Sequence, residues 1–154
     1  MKTAASRKQL EQLADEVYGV TRAILALRAR SKATGPEELS ESEFITLDLL
    51  TKHETMTVGE IQKQIGIPPA QMSRLMRSLE TKDAGAMVKC AINEQDRRKV
   101  DVTITEPGGT AHGRFREARR ATALQFLQHL SHDDREVFMR ILRSFRKEID
   151  KHLL

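Results

Sequence analysis

At 154 residues the chain has the length of one domain, a size at which folding buries about 70% of the unfolded surface. Its 39% hydrophobic and 31% charged residues describe a globular protein, and no apolar run reaches the roughly 20 residues that a membrane span requires. A net charge of +4 favours polyanionic partners, and the single cysteine, Cys90, excludes an internal disulfide and any paired-thiol site. The start, Met1 to Lys8, carries bases with no apolar run behind them, so the expectation is a cytoplasmic protein without a secretory signal.

In chain order, Leu10, Leu13, Val17, Val20, Ile24 and Leu27 step by three and four residues, the spacing of a heptad seam. This predicts a long first helix from near Ser6 to the break at Gly35-Pro36. Its narrow stripe needs a long partner, either the chain's own C-terminal helices or a second subunit. A second helix opens on Ser40 with Glu43 three residues on, turns Phe44, Leu47 and Leu50 inward, and stops near His53. The third repeats the device with Thr57 and Glu60, buries Val58, Ile61 and Ile65, and ends at Gly66. Beyond the turn Gly66-Ile67-Pro68-Pro69, Met72, Leu75, Met76 and Leu79 mark the inner stripe of a fourth helix; proline is tolerated in its first turn, where the N–H groups lack partners. Two short helices, a tight turn and a polar-faced helix make a helix-turn-helix.

The opposite face of that fourth helix carries Ala70, Arg74 and Arg77, flanked by Gln71, Ser73 and Ser78. Arg and Gln form paired hydrogen bonds to base edges, Ser reaches bases or phosphates, and a small Ala allows close approach. After Gly85 the period changes to two: Val88, Cys90, Ile92 and then Val100, Val102, Ile104 alternate with more polar residues, as in two half-buried strands. The loop between them carries Arg97, Arg98 and Lys99, a basic wing beside the helix. From Pro68 to Val100 seven bases face four acids, so most of the excess charge sits on this candidate reader. Thr105 caps a fifth helix with Pro107 in its first turn. Ser131 caps a sixth, with Asp133 and Asp134 placed for its dipole, and this helix buries Val137, Ile141, Phe145 and Ile149. The expected fold class is mainly α with a small β-hairpin, a winged helix-turn-helix of six helices.

Other residues have plainer readings. Cys90 reads as a small buried strand residue, with a redox sensor as the alternative. Arg114, Arg116, Arg119 and Arg120 read as a solvent face, or as partners for acids of another helix, rather than as phosphate contacts. His112, His129 and His132, with Asp133, have ligand types that suit zinc, but no pair sits at metal-binding helical spacing, so ordinary surface histidines and no metal site are expected. No phosphate loop, HExxH or GxSxG is present, and Asp15-Glu16 and Asp133-Asp134 are adjacent rather than convergent. The chain is therefore not expected to be an enzyme, nor to hold a cofactor. A helical interaction module whose basic hairpin binds an acidic partner is the non-DNA alternative.

The order of these elements, with Ser73-Arg74-Leu75 and Leu79-Glu80 in the fourth helix, Asp96-Arg97-Arg98 in the wing and Thr105-Glu106-Pro107-Gly108 after it, resembles the multiple-antibiotic-resistance regulator (MarR) family over nearly the whole chain. The resemblance implies a homodimeric winged-helix transcription factor, usually a repressor, with residues 1–154 as one domain. A DNA-binding lobe would span 40–105, and a dimerisation lobe 6–35 and 106–154. It implies that Leu10, Leu13, Val17, Val20, Ile24, Val137, Ile141, Phe145 and Ile149 line the dimer interface, that Arg98 enters the minor groove, and that Asp96 orients the wing. A small aromatic or phenolic effector binding between the lobes is the implied signal, with a zinc- or redox-responsive regulator of the same fold as the alternative. The sequence departs from the family pattern at Gly109 and at Pro68-Pro69, both of which bear on where a helix starts.

Overall fold

The computed structural model of the chain describes residues 4–30 and 39–153. They form α1 (Ala4–Arg30), α2 (Glu41–His53), β1 (Thr55–Thr57), α3 (Val58–Ile65), α4 (Pro69–Glu80), β2 (Val88–Ile92), β3 (Val100–Ile104), α5 (Glu106–Leu127) and α6 (His132–Leu153). The chain divides into two units, α1 in one and everything from Leu39 onward in the other. The expected break at Gly35-Pro36 lies outside the described residues.

Local sequence signals set most helix ends. The Ser40 side chain accepts from the Glu43 N–H while the Glu43 carboxylate accepts from the Ser40 N–H, and Thr57 and Glu60 repeat the reciprocal pair at the start of α3. Gly66 ends α3 with φ 72°, a left-handed conformation that glycine adopts without Cβ strain. Neither departure from the family pattern displaces a helix. Pro68 is the N-cap of α4 and Pro69 its first residue, while α5 begins at Glu106 and runs through Gly108-Gly109.

The sheet has three antiparallel strands in the order β1-β3-β2, one more than the expected hairpin. Register aligns the inward residues, with Cys90 opposite Val102, Val88 opposite Ile104, and Met56 of β1 on the other side of Val102. Burial follows alternation only at the root. Val88 and Val102 are fully buried, whereas Ile92, expected to face the core, is 67% exposed and Val100 lies open beside it, because the hairpin projects beyond the helices that cover its base.

The core gathers Leu47 and Leu50 of α2, Ile61 of α3, Met72, Leu75, Met76 and Leu79 of α4, and Met87, Val88 and Val102 of the hairpin. Phe44, Val58 and Ile65 are half-buried at its margin. Met87 ties three elements together through its backbone. Its N–H donates to the Leu79 carbonyl at 2.7 Å, and its carbonyl accepts from the Thr105 N–H at 3.1 Å. A Cβ at Gly108 would collide with that same carbonyl, so only glycine lets α5 pass this close to the root of the hairpin.

Facing side chains join α2 to α5. His112, expected at the surface, is buried: its Nε2 lies 3.1 Å from Asp48 Oδ1 and its ring stacks on Phe44 with centroids 5.1 Å apart. Phe115 packs against Phe44, and Arg119 lies over the Phe115 ring while donating to Glu41 at 2.8 Å. Arg119 thus pairs with an acid of its own chain. On α6 the expectation of burial does not hold within one chain, since Val137, Ile141, Phe145 and Ile149 are 44–53% exposed. On α1, Leu10, Leu13, Val17, Val20 and Ile24 are exposed as well.

Candidate nucleic-acid interface

Helix α4 sorts its residues onto two faces. Met72, Leu75, Met76 and Leu79 are buried, while Ala70, Gln71, Ser73, Arg74 and Arg77 are exposed on the other side. The side chains that could reach base edges thus point outward from a helix anchored by the core. Ser73 also bonds back to the Pro69 carbonyl at 3.2 Å. Ser78, which the periodicity groups with this face, is turned away from it: half-buried, it donates to Glu43 Oε1 at 2.6 Å. It leaves the set of candidate reading residues, because its hydroxyl is already committed inside the fold.

The wing loop is held by its own side chains. Asp96 accepts from the Arg98 N–H and from Arg98 Nε, both at 3.1 Å, and its other oxygen lies 3.9 Å from Lys99 Nζ. The Arg98 bonds hold the Asp96 carboxyl below its ordinary range, with Lys99 assisting. Arg97, Arg98 and Lys99 all remain exposed. Asn93 does the larger structural work, a role its sequence pattern does not announce by charge. Its Oδ1 accepts from the Gln95 and Asp96 N–H groups at 3.0 and 2.8 Å, and its Nδ2 donates to both oxygens of Asp101. The available signal was an Asn two residues before a loop N–H, the pattern of an Asx turn.

Helix α4 and the wing are coupled at their bases. The bond from Met87 to Leu79 joins the end of the helix to the start of the hairpin. A two-stranded projection beside an outward-facing helix is the arrangement of a winged helix-turn-helix.

Comparison with known proteins agrees. The model of the MarR family matches residues 39–100, which is the span from the start of the core to the first residue of β3. Residues 39–100 thus match the MarR family. It is similar to the uncharacterized HTH-type transcriptional regulator YwhA of Bacillus subtilis, 21% identical over 125 residues that cover 81% of this chain and 88% of the relative. It is also similar to the HTH-type transcriptional repressor Mb2911 of Mycobacterium bovis, 28% identical over 112 residues, 73% of this chain and 78% of the other. In fold it resembles Streptococcus pneumoniae FabT, solved in complex with DNA, with a TM-score of 0.65 at 17% identity over 94% of this chain and 98% of that one.

Other residues with sensor chemistry are placed as follows. Cys90 is half-buried, and burial followed by the neighbouring Glu80 carboxylate pushes its thiol up to about 11, which disfavours the reactive thiolate. His129 and His132 are exposed, and His132 lies 3.6 Å from Asp133. Among the described residues, no three His, Cys, Asp or Glu side chains converge as metal ligands would. No described helix is long and apolar enough to cross a membrane.

Proposed function

We propose that this chain is a sequence-specific DNA-binding transcriptional regulator that acts as a homodimer on a pseudo-palindromic operator. Gln71, Arg74 and Arg77 read base edges in the major groove, with Ala70 and Ser73 allowing close approach and phosphate contact. Arg97, Arg98 and Lys99 reach the flanking minor groove, oriented by Asp96, and a narrow A·T-rich groove attracts them most. The first turn of α4 carries no acid, so no carboxylate of that turn repels a phosphate.

The observation that carries this reading is the two-faced α4: every apolar residue of its stripe is buried and both of its arginines are exposed. The kinship to HTH-type regulators supports it, and those relatives are regulators rather than enzymes. Following the family, residues 40–105 form the reading lobe, and 6–35 with 106–154 the dimerisation lobe, whose exposed α1 and α6 stripes meet a second copy. Two reading helices related by a two-fold axis would then enter successive major grooves about 34 Å apart. Repression relieved by a small aromatic effector is the regulatory mode we favour. Selection of bound duplex fragments from the source genome tests the reading: enrichment of an inverted repeat supports it, and retention without sequence preference contradicts it.

A further inference from the structure

We propose that Glu43 is a positioning residue for DNA reading, the group that fixes the rotational setting of α4. The inference rests on the reading of α4 proposed above.

Glu43 is a carboxylate only 4% exposed, at the start of α2. Three donors, from the N-cap of α2, the last turn of α4 and the segment just after it, converge on it. Its Oε2 accepts from the Ser40 N–H at 2.7 Å, while Oε1 accepts from Ser78 Oγ at 2.6 Å and from Lys82 Nζ at 2.9 Å. Ser78 lies one turn beyond Arg74 and next to Arg77, and Lys82 follows the end of the helix. One side chain of α2 therefore holds Ser78 in the last turn of α4 and Lys82 just past the helix end.

Apolar packing alone would not fix this setting. Two of the four residues beneath α4 are methionines, Met72 and Met76, whose unbranched side chains repack with little loss when a helix slides or turns. Hydrogen bonds to a buried carboxylate are directional, and turning α4 would pull Ser78 off Glu43 and drag the Lys82 contact that follows it. A setting wrong by one residue would swing Arg74 by about 100°. The node also requires a carboxylate. Ser40 presents a donor to one oxygen, and Ser78 and Lys82 present donors to the other, so a glutamine, with one carbonyl and one NH2, matches only one side.

The test uses the full chain, the tightest-binding duplex from genomic selection and a scrambled duplex of the same length, with Ala111→Gly on α5 as a variant destabilised outside the helix-turn-helix. Glu43→Gln is expected to lower the ratio of cognate to scrambled affinity about tenfold with scrambled binding unchanged. Ser78→Ala should lower the ratio less, and Ala111→Gly not at all. Should Glu43→Gln fail to fold, Ser78→Ala, which removes one bond of the three, decides alone. A preserved ratio in the variants that fold, or an equal loss in Ala111→Gly, overturns the proposal. Wild-type protein that binds both duplexes equally contradicts the DNA-reading function itself, a result distinct from failure of the Glu43 role.

Discussion

Arg98 meets its carboxylate before any DNA arrives. Asp96 takes its backbone N–H and Nε, which sets the direction of the guanidinium while leaving other N–H donors for phosphate or base edges. Arg98→Ala should weaken duplex binding and make the salt dependence shallower by about one unit of log-log slope, read from anisotropy titrations across salt. An unchanged slope would remove the wing from the interface. Glu43 gives a second expectation, in acid. Burial raises its carboxyl, but the bonds from Ser78, Lys82 and Ser40 outweigh burial and leave it below the usual 4.5. The unfolded chain therefore binds the proton first, so stability from this group is complete above about 4.5 and fades as pH falls through the lowered value. Calorimetry between pH 3 and 7 should show a shallower acid fall in Glu43→Gln than in the wild type, and parallel curves would contradict the assignment.

Elements were legible where their causes are local. The capping boxes at Ser40 and Thr57, the glycine at Gly66 and the apolar stripe of α4 each need only a few neighbouring residues, and each stands in the structure as read. What was missed depends on distant partners. Thr55–Thr57 is too short to signal a strand and becomes one only by pairing with Asp101–Thr103. His112 is buried because Phe44 and Asp48 meet it from α2, and Ser78 turns inward because Glu43 lies there, 35 residues away. The tight passage at Gly108 is of the same kind. Gly108→Ala should cost about 1–3 kcal/mol through overpacking against Met87 and Ile104, measured by chemical denaturation, whereas Gly109→Ala, with open space around it, should cost little. Equal effects at the two glycines would contradict the close approach.

For the whole molecule, the exposed stripes on α1 and α6 are the feature that a single chain leaves unexplained. A stripe at heptad spacing is read from sequence as buried, and the sequence alone does not say whether the cover comes from the same chain or from another copy. Ile141 is half-exposed within one chain, so Ile141→Glu should leave the fold intact, shift the protein to monomer by light scattering, and abolish tight operator binding. A dimer that survives the change would move the interface elsewhere.

If the outer face of α4 reads bases, the affinity of Arg74→Ala for the selected operator and for a scrambled duplex, measured side by side, shows it. A loss of about 1–3 kcal/mol on the operator, with relaxed preference at one base pair of each half-site and little change on the scrambled duplex, is the predicted result. Equal losses on the two duplexes would mean that Arg74 supplies charge rather than recognition, and would contradict the account.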